Sequence, residues 1–153
     1  MNGQLVDPFV RAAVDVLGME TRGPVTPGAP ESHCDPHTTD EITAVVGMSG
    51  DVRGSMFLSM STATALATVS AMLGQPMVTF DPLVQSGIAE LANVIAGHAA
   101  SALARAGMPA DLTPPLMVLG AGARIQGLDA QRVAITIDTD CGLVHIHVAL
   151  AGG

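Results

Sequence analysis

A long helix, predicted over residues 82–106, is the feature that most constrains the fold of this chain. Asp81-Pro82 supplies a capping carboxylate followed by a proline at the first helical position, and Gly107 and Pro109 end the pattern. At about 100° of rotation per residue, apolar side chains fall within one narrow arc of this helix. They are Val84, Ile88, Leu91, Ile95, Ala99 and Ala102. Such a stripe has to be buried, so the rest of the chain must supply the layer that covers it.

The opposite face of this helix does not carry the paired charges of an ordinary exposed face. It consists of Ser86, Glu90, Asn93 and Gly97, extended by Ala100 and Ala104. Small residues leave room for another protein to approach, and a glycine inside a helix costs about 1 kcal/mol relative to alanine. This composition predicts a docking face.

Glu90 and Asn93 place a carboxylate and an amide one turn apart on that face. A carboxylate can pair with a cation on a partner. The amide cannot titrate, but it can hold a water by accepting one hydrogen bond and donating another. Positioning a water in line with phosphorus is a recognised part of phosphoryl-transfer catalysis. By itself Glu-x-x-Asn is a short motif that occurs by chance on many helices.

The remaining pattern predicts an α+β fold, a largely antiparallel sheet with helices packed on one face. A first helix is expected over 7–19, with Asp7 as its cap and Pro8 at its first position. A second is expected over 62–73, capped by Ser61 or Thr62 and ended by Gly74, with Leu66, Val69, Met72 and Leu73 facing inward. Strands are expected over 42–48, 52–60, 116–119 (as a buried strand), 131–138 and 143–150.

The length of 153 residues favours one domain spanning 1–153. Prolines and glycines concentrate in 20–40, which is predicted to be an irregular surface loop with room for a short edge strand. This loop contains His33, Cys34 and His37, and a late strand carries His145 and His147 on one face. Either group offers metal-ligand chemistry, but structural zinc spacing is absent, so a solvated loop and a half-exposed strand are the favoured interpretations and no metal is expected.

Composition excludes several classes of function. The net charge is −8, and the chain has three Phe but no Tyr or Trp, which disfavours binding to phosphate backbones, anionic lipids or stacked bases. The first twenty residues carry several charges and no uninterrupted apolar run reaches membrane-spanning length, so we expect no signal peptide and no membrane span. Two distant cysteines suggest reduced thiols and a cytoplasmic location.

Residues 86–97, SGIAELANVIAG, resemble the signature helix of the CheC, CheX and FliY phosphatases, which reads Asp or Ser, three residues, Glu, two residues, Asn, and commonly Gly four positions later. Ser86, Glu90, Asn93 and Gly97 match all four positions. The likeness extends over most of the chain except 20–40. It includes Asp7-Pro8-Phe9-Val10, residues 46–56, Met72-Leu73-Gly74, residues 115–120 and Asp140-Cys141-Gly142. The other two predicted helices lack the signature, and a single copy is typical of the CheX type.

The resemblance implies a phosphatase that hydrolyses the aspartyl phosphate of a CheY-type chemotaxis response regulator. Glu90 would pair with the active-site lysine of the receiver domain, Asn93 would orient the attacking water, and Ser86 and Gly97 would contribute to docking. Magnesium and the phosphorylated aspartate would belong to the receiver, so this chain would need no cofactor. The family also implies homodimers formed by pairing of sheet edges. A non-catalytic adaptor for a receiver is the alternative, and Ser86 departs from the acidic variant of the signature.

Overall fold

The computed structural model describes residues 3–34, 37–125 and 131–152. Within these residues the chain forms three helices, α1 (Gly3–Thr21), α2 (Thr62–Leu73) and α3 (Pro82–Arg105). The strands are β1 (Val25–Pro27), β2 (Glu31–His33), β3 (His37–Thr38), β4 (Ile42–Gly50), β5 (Val52–Met60), β6 (Ala110–Leu112), β7 (Leu116–Leu119), β8 (Arg124–Ile125), β9 (Arg132–Thr139) and β10 (Gly142–Gly152).

One antiparallel sheet organises the molecule. Its strands run in the order β1-β9-β10-β5-β4-β6, with β2 also paired to β9 and β7 also paired to β4, while β3 and β8 form a separate pair. The two long hairpins, β4–β5 and β9–β10, meet through the pairing of β10 with β5 at the centre of the sheet. The predicted α+β arrangement is confirmed.

The core lies between the sheet and the helices. Alternate residues of the central strands point into it, because successive strand side chains face opposite sides of a sheet. Met56, Leu58 and Met60 of β5 are fully buried, and so are Val144, Ile146 and Val148 of β10. The helices contribute the other half of the same cluster, including Phe9, Leu17 and the inner face of α3. With only three Phe in the chain, aliphatic and methionine side chains fill this space.

Helix α1 begins earlier than the sequence predicted. It starts at Gly3, so Asp7 does not cap it and Pro8 lies inside the helix. The reason is the apolar stripe, because Leu5 and Val6 continue it one turn before Phe9 and are 6% and 4% exposed. Pro8 is the sixth residue of α1 and has no backbone N–H, so the hydrogen bond to the Gln4 carbonyl is not made, a loss near the start of the helix that the burial of Leu5 and Val6 offsets.

Segment 20–40 is more regular than predicted. Helix α1 extends into it as far as Thr21, and β1 and β2 both pair with β9 and extend the sheet at that edge. At the other edge, β7 pairs with β4, but the prediction that it is a buried strand is wrong. Leu116 and Leu119 are 65% and 50% exposed, because an edge strand has a neighbour on one side only.

Helix α3 is, within the described residues, the one helix long and apolar enough by composition to cross a bilayer. Eight of its side chains are buried in the protein core: Val84, Ile88, Leu91, Ala92, Ile95, Ala96, Ala99 and Leu103. Core packing therefore accounts for its apolar character.

Candidate functional site

Helix α3 is fixed at its start by a local cap. The backbone of Asp81 is extended, and its side chain accepts a hydrogen bond of 2.9 Å from the Val84 backbone N–H. Pro82 follows at the first helical position, as predicted. The carboxylate also lies at the positive end of the helix dipole. The cap and the buried inner face together hold α3 as a rigid support for its outer face.

Helix α2 packs against α3 at one close contact. A Cβ built on Gly87 would lie 2.9 Å and 3.0 Å from the two methyl carbons of Val69, closer than side chains normally pack. Glycine at this position therefore lets the two helices approach each other. Helix α2 itself is capped by Ser61, whose hydroxyl accepts from the Thr64 N–H, and it ends at Gly74 in the left-handed conformation.

The four residues predicted for the site lie together on the outward face of α3. Ser86, Glu90 and Asn93 are exposed and Gly97 is half-exposed. Within 3–34, 37–125 and 131–152, neither the Glu90 carboxylate nor the Asn93 amide makes an intramolecular hydrogen bond or ion pair. The positions three and four residues away from Glu90 hold Ser86, Gly87, Asn93 and Val94, so no cation is within helical reach. Both polar groups are available to a partner.

Gly97 differs from Gly87 in its surroundings. A Cβ built on Gly97 would have nothing within 4 Å, whereas Gly87 faces Val69. Its backbone is ordinary helix, so neither packing nor conformation within the described part of the chain requires glycine at position 97. The residue leaves an opening on the outer face of α3, one turn beyond Asn93.

Exposed apolar side chains occur at the start of α3 and in the segment that precedes it, and the sequence prediction missed them. Leu73 at the end of α2 is 46% exposed, although it was predicted to face inward. Val78 in the α2–α3 connection is 83% exposed, and Leu83 in the first turn of α3 is 50% exposed. We call these three residues the apolar patch. Leu73 lies in a largely apolar helix where the sequence pattern does not decide which residues are buried, whereas the helical period of α3 already places Leu83 on the face of Glu90.

The histidines weighed as metal ligands in the sequence lie in two places, His33 beside Cys34 in one segment and His145 with His147 in β10. No group of three or more potential ligands from His, Cys, Asp and Glu occurs among the described residues. His33 lies 3.5 Å from the Glu31 carboxylate, and Cys34 is exposed; Asp35 and the side chain of His37 lie outside the described residues. In β10, His145 Nδ1 hydrogen-bonds to Thr136, and His147 Nδ1 accepts from the Arg132 guanidinium.

Comparison with known proteins adds to this geometry. Residues 42–138 match the family model of the chemotaxis phosphatase CheX. The CheY-P phosphatase CheX of Thermotoga maritima is 39% identical over 116 residues, which cover 73% of this chain and 70% of that protein. A CheC-like superfamily protein from Shewanella sp. PV-4 superposes with a TM-score of 0.89 at 25% identity over 99% of this chain and all of that one.

A further structural relative is CheX of Borrelia burgdorferi, solved as a complex with CheY, BeF3 and Mg²⁺. It has a TM-score of 0.81 and 24% identity, with 95% of this chain and 96% of that chain covered. At 24% identity, this match supports the fold of the chain and nothing further.

Proposed function

The chain belongs to the CheX family of chemotaxis phosphatases, and from this we propose that it hydrolyses the aspartyl phosphate of a CheY-type response regulator with Glu90 and Asn93 as the acting residues. The Thermotoga maritima relative is named for hydrolysis of CheY-P, and that activity is the one proposed for this chain. The two side chains lie on a helix whose opposite face is anchored in the core.

The observation that carries the proposal is the unpartnered acid–amide pair. Ordinary exposed carboxylates on helices often have a cation one turn away. Glu90 has none within helical reach, and the surrounding Ser86 and Gly97 are too small to obstruct a partner. A globular receiver could therefore bring its active site close to α3.

Asn93 would act by positioning water. Its amide accepts a hydrogen bond from the water and donates another, which directs an oxygen lone pair at phosphorus on the side opposite the aspartate oxygen. The new bond joins the water oxygen to phosphorus. The bond from phosphorus to the receiver's aspartate breaks, its electron pair returns to the aspartate carboxylate, and the proton from water leaves with inorganic phosphate. Asn93 takes no proton, because a neutral amide is not a base at ordinary pH.

Glu90 would act by fixing the two proteins in register. Its carboxylate pairs with the active-site lysine of the receiver, one helical turn from the point where Asn93 enters. Orientation matters because attack on phosphorus depends more on alignment than on covalent chemistry supplied by the protein. Ser86 and Gly97 would form the ends of this contact.

The magnesium ion belongs to the receiver in this proposal, so this chain supplies no cofactor. The Borrelia burgdorferi complex contains CheY, Mg²⁺ and BeF3 together with CheX. We place the reaction in the cytoplasm, where response regulators act. We also assign a homodimer formed through a sheet edge, which light scattering of the purified protein would test.

The test is dephosphorylation of the cognate receiver. Each receiver of the source organism would be phosphorylated with acetyl phosphate, and loss of phosphate would be followed with and without this protein. Asn93→Ala should abolish the acceleration and retain binding. Glu90→Ala should weaken binding as well. Asp15→Ala, which removes an exposed carboxylate from α1, is the matched control and should behave as wild type.

The results of this assay distinguish a phosphatase from a non-catalytic adaptor for the receiver. Acceleration by wild type that is lost in Asn93→Ala supports the water-positioning role. Binding of a phosphorylated receiver without any change in its lifetime would overturn the enzyme in favour of an adaptor. Full activity in Asn93→Ala would show that another group positions the water.

A further inference from the structure

The apolar patch lies at the start of the proposed docking face and continues it. Leu83 precedes Glu90 by about two helical turns, which returns it to nearly the same side of α3 at a distance of roughly 10 Å along the axis. Ser86 lies between them. The outward side of α3 therefore runs from an exposed leucine through the acid–amide pair to Gly97 without a change of face.

Leu73 and Leu83 both lie near the contact between α2 and α3. Val69 of α2 packs against Gly87 of α3. Leu73 is one turn beyond Val69 and Leu83 is one turn before Gly87, so each lies within about 6 Å of that contact, measured along its own helix. Both leucines therefore flank the helix contact at the end where the connection lies.

The connection holds Val78 outward at the same end. The Met77 backbone N–H donates to the Ser70 hydroxyl over 2.8 Å, and Met77 and Phe80 both pack against the core. Val78 lies between these two anchored residues and is 83% exposed. The position is thus imposed by a structured connection, and the valine side chain is left without an apolar neighbour to cover it.

We propose that Leu73, Val78 and Leu83 form the apolar part of the receiver-docking surface and set the affinity for the receiver. This inference rests on the proposed function. A stable interface buries about 800 Å² on each partner, more than half of it nonpolar. Ser86, Glu90, Asn93 and Gly97 supply little nonpolar area. Leu83 supplies such area on the same face of α3, and Leu73 and Val78 supply it in the segment that leads to Leu83, so the occupant is an apolar surface of the receiver next to the phosphorylation site.

The experiment measures binding and turnover separately. Leu83→Gln and Val78→Ser would be compared with wild type for affinity to the beryllofluoride-activated receiver, and for KM and kcat with the phosphorylated receiver. Leu83→Gln should weaken binding and raise KM about fivefold, which corresponds to burial of the exposed half of a leucine, with kcat unchanged. Leu83→Met, which stays apolar, should restore affinity.

Leu143→Gln is the matched control, since Leu143 is also 50% exposed but lies in β10, away from α3. If Leu83→Gln and Leu143→Gln bind the activated receiver with equal affinity and the wild type is active, the proposed role of the apolar patch is overturned and the phosphatase proposal stands. A lowered kcat at unchanged KM would also overturn it, because the patch would then act on alignment. A wild-type protein that neither binds nor dephosphorylates any receiver overturns both proposals.

Discussion

Replacing Gly97 with alanine should make the protein more stable and less active. A Cβ at this position meets nothing within 4 Å, and the backbone is ordinary helix, so the new methyl group causes no clash within the described part of the chain. Alanine in a helix interior is favoured over glycine by about 1 kcal/mol. For a chain of this length, that gain corresponds to a rise of about 2–4 °C in the melting temperature.

The same methyl group should obstruct the receiver. It projects into the open space one turn beyond Asn93, where the proposed docking requires close approach. Inserting one carbon into a packed contact typically costs about 1–3 kcal/mol. KM for the phosphorylated receiver should therefore rise by about fivefold to a hundredfold. The two effects have opposite signs, which a simple loss of folding cannot produce.

Gly87→Ala is the matched control for Gly97→Ala, because it makes the same change on the same helix. Its Cβ would lie 2.9 Å from a methyl carbon of the fully buried Val69, so this variant should lose stability. The assays are calorimetric melting and receiver dephosphorylation. If Gly97→Ala melts at a lower temperature than wild type, the residue serves the fold. If it is stabilised with KM unchanged, the receiver does not contact this end of α3.

Three further predictions concern the scaffold. Asp81→Ala removes the cap of α3 and should lower the free energy of unfolding by about 0.5–2 kcal/mol in urea titrations. The kcat for receiver dephosphorylation should stay unchanged, because Glu90 lies about two turns beyond the cap. Gly54→Ala should cost about 3 kcal/mol by the same measurement, since φ is +138° and its Cβ would collide with the Ala149 carbonyl of the paired strand. Burial raises the pKa of the Cys141 thiol above its ordinary 9.0, so the unfolded chain ionises first and stability should fall as pH rises through 9.0. Cys141→Ala should remove that pH dependence and Cys34→Ala should leave it; an unchanged slope in Cys141→Ala would contradict the assignment.

The long elements could be predicted because their signals are local. Helix α3 has a cap, a proline at its first position and an apolar stripe, all within one stretch, and the structure places it over Pro82–Arg105. In β10 the buried Val144, Ile146 and Val148 follow the alternation of the strand, but in β5 Phe57 and Ser59 on the opposite face are buried as well, which alternation alone does not predict. The stripe drifts at the end of α3, where Leu103 is fully buried and Ala102 only partly.

The short strands could not be predicted, because they form through contacts distant in sequence. β1 and β2 contain prolines or polar residues and exist as strands by pairing with β9, which lies about a hundred residues further along the chain. Tertiary pairing overrides weak local preference at such edges. The patch escaped prediction for a related reason. Leu73 fits the apolar pattern of α2 whether it faces the core or solvent, and only the packing of α2 decides which, whereas the period of α3 already places Leu83 on the face of Glu90.

In the proposed docking, the lack of intramolecular partners for Glu90 and Asn93 among the described residues favours binding of the receiver. A Glu90 paired with a neighbouring cation would have to break that pair before docking, and the lost energy would oppose binding. Both side chains are exposed in the free protein, and among the described residues neither has an intramolecular partner that would have to be released before docking. Their positions are fixed instead by the inner face of α3, where Ile88, Leu91 and Ile95 are almost completely buried. In the proposed mechanism, core packing would thus supply the orientation needed for attack on phosphorus, while the two polar groups stay exposed to a partner.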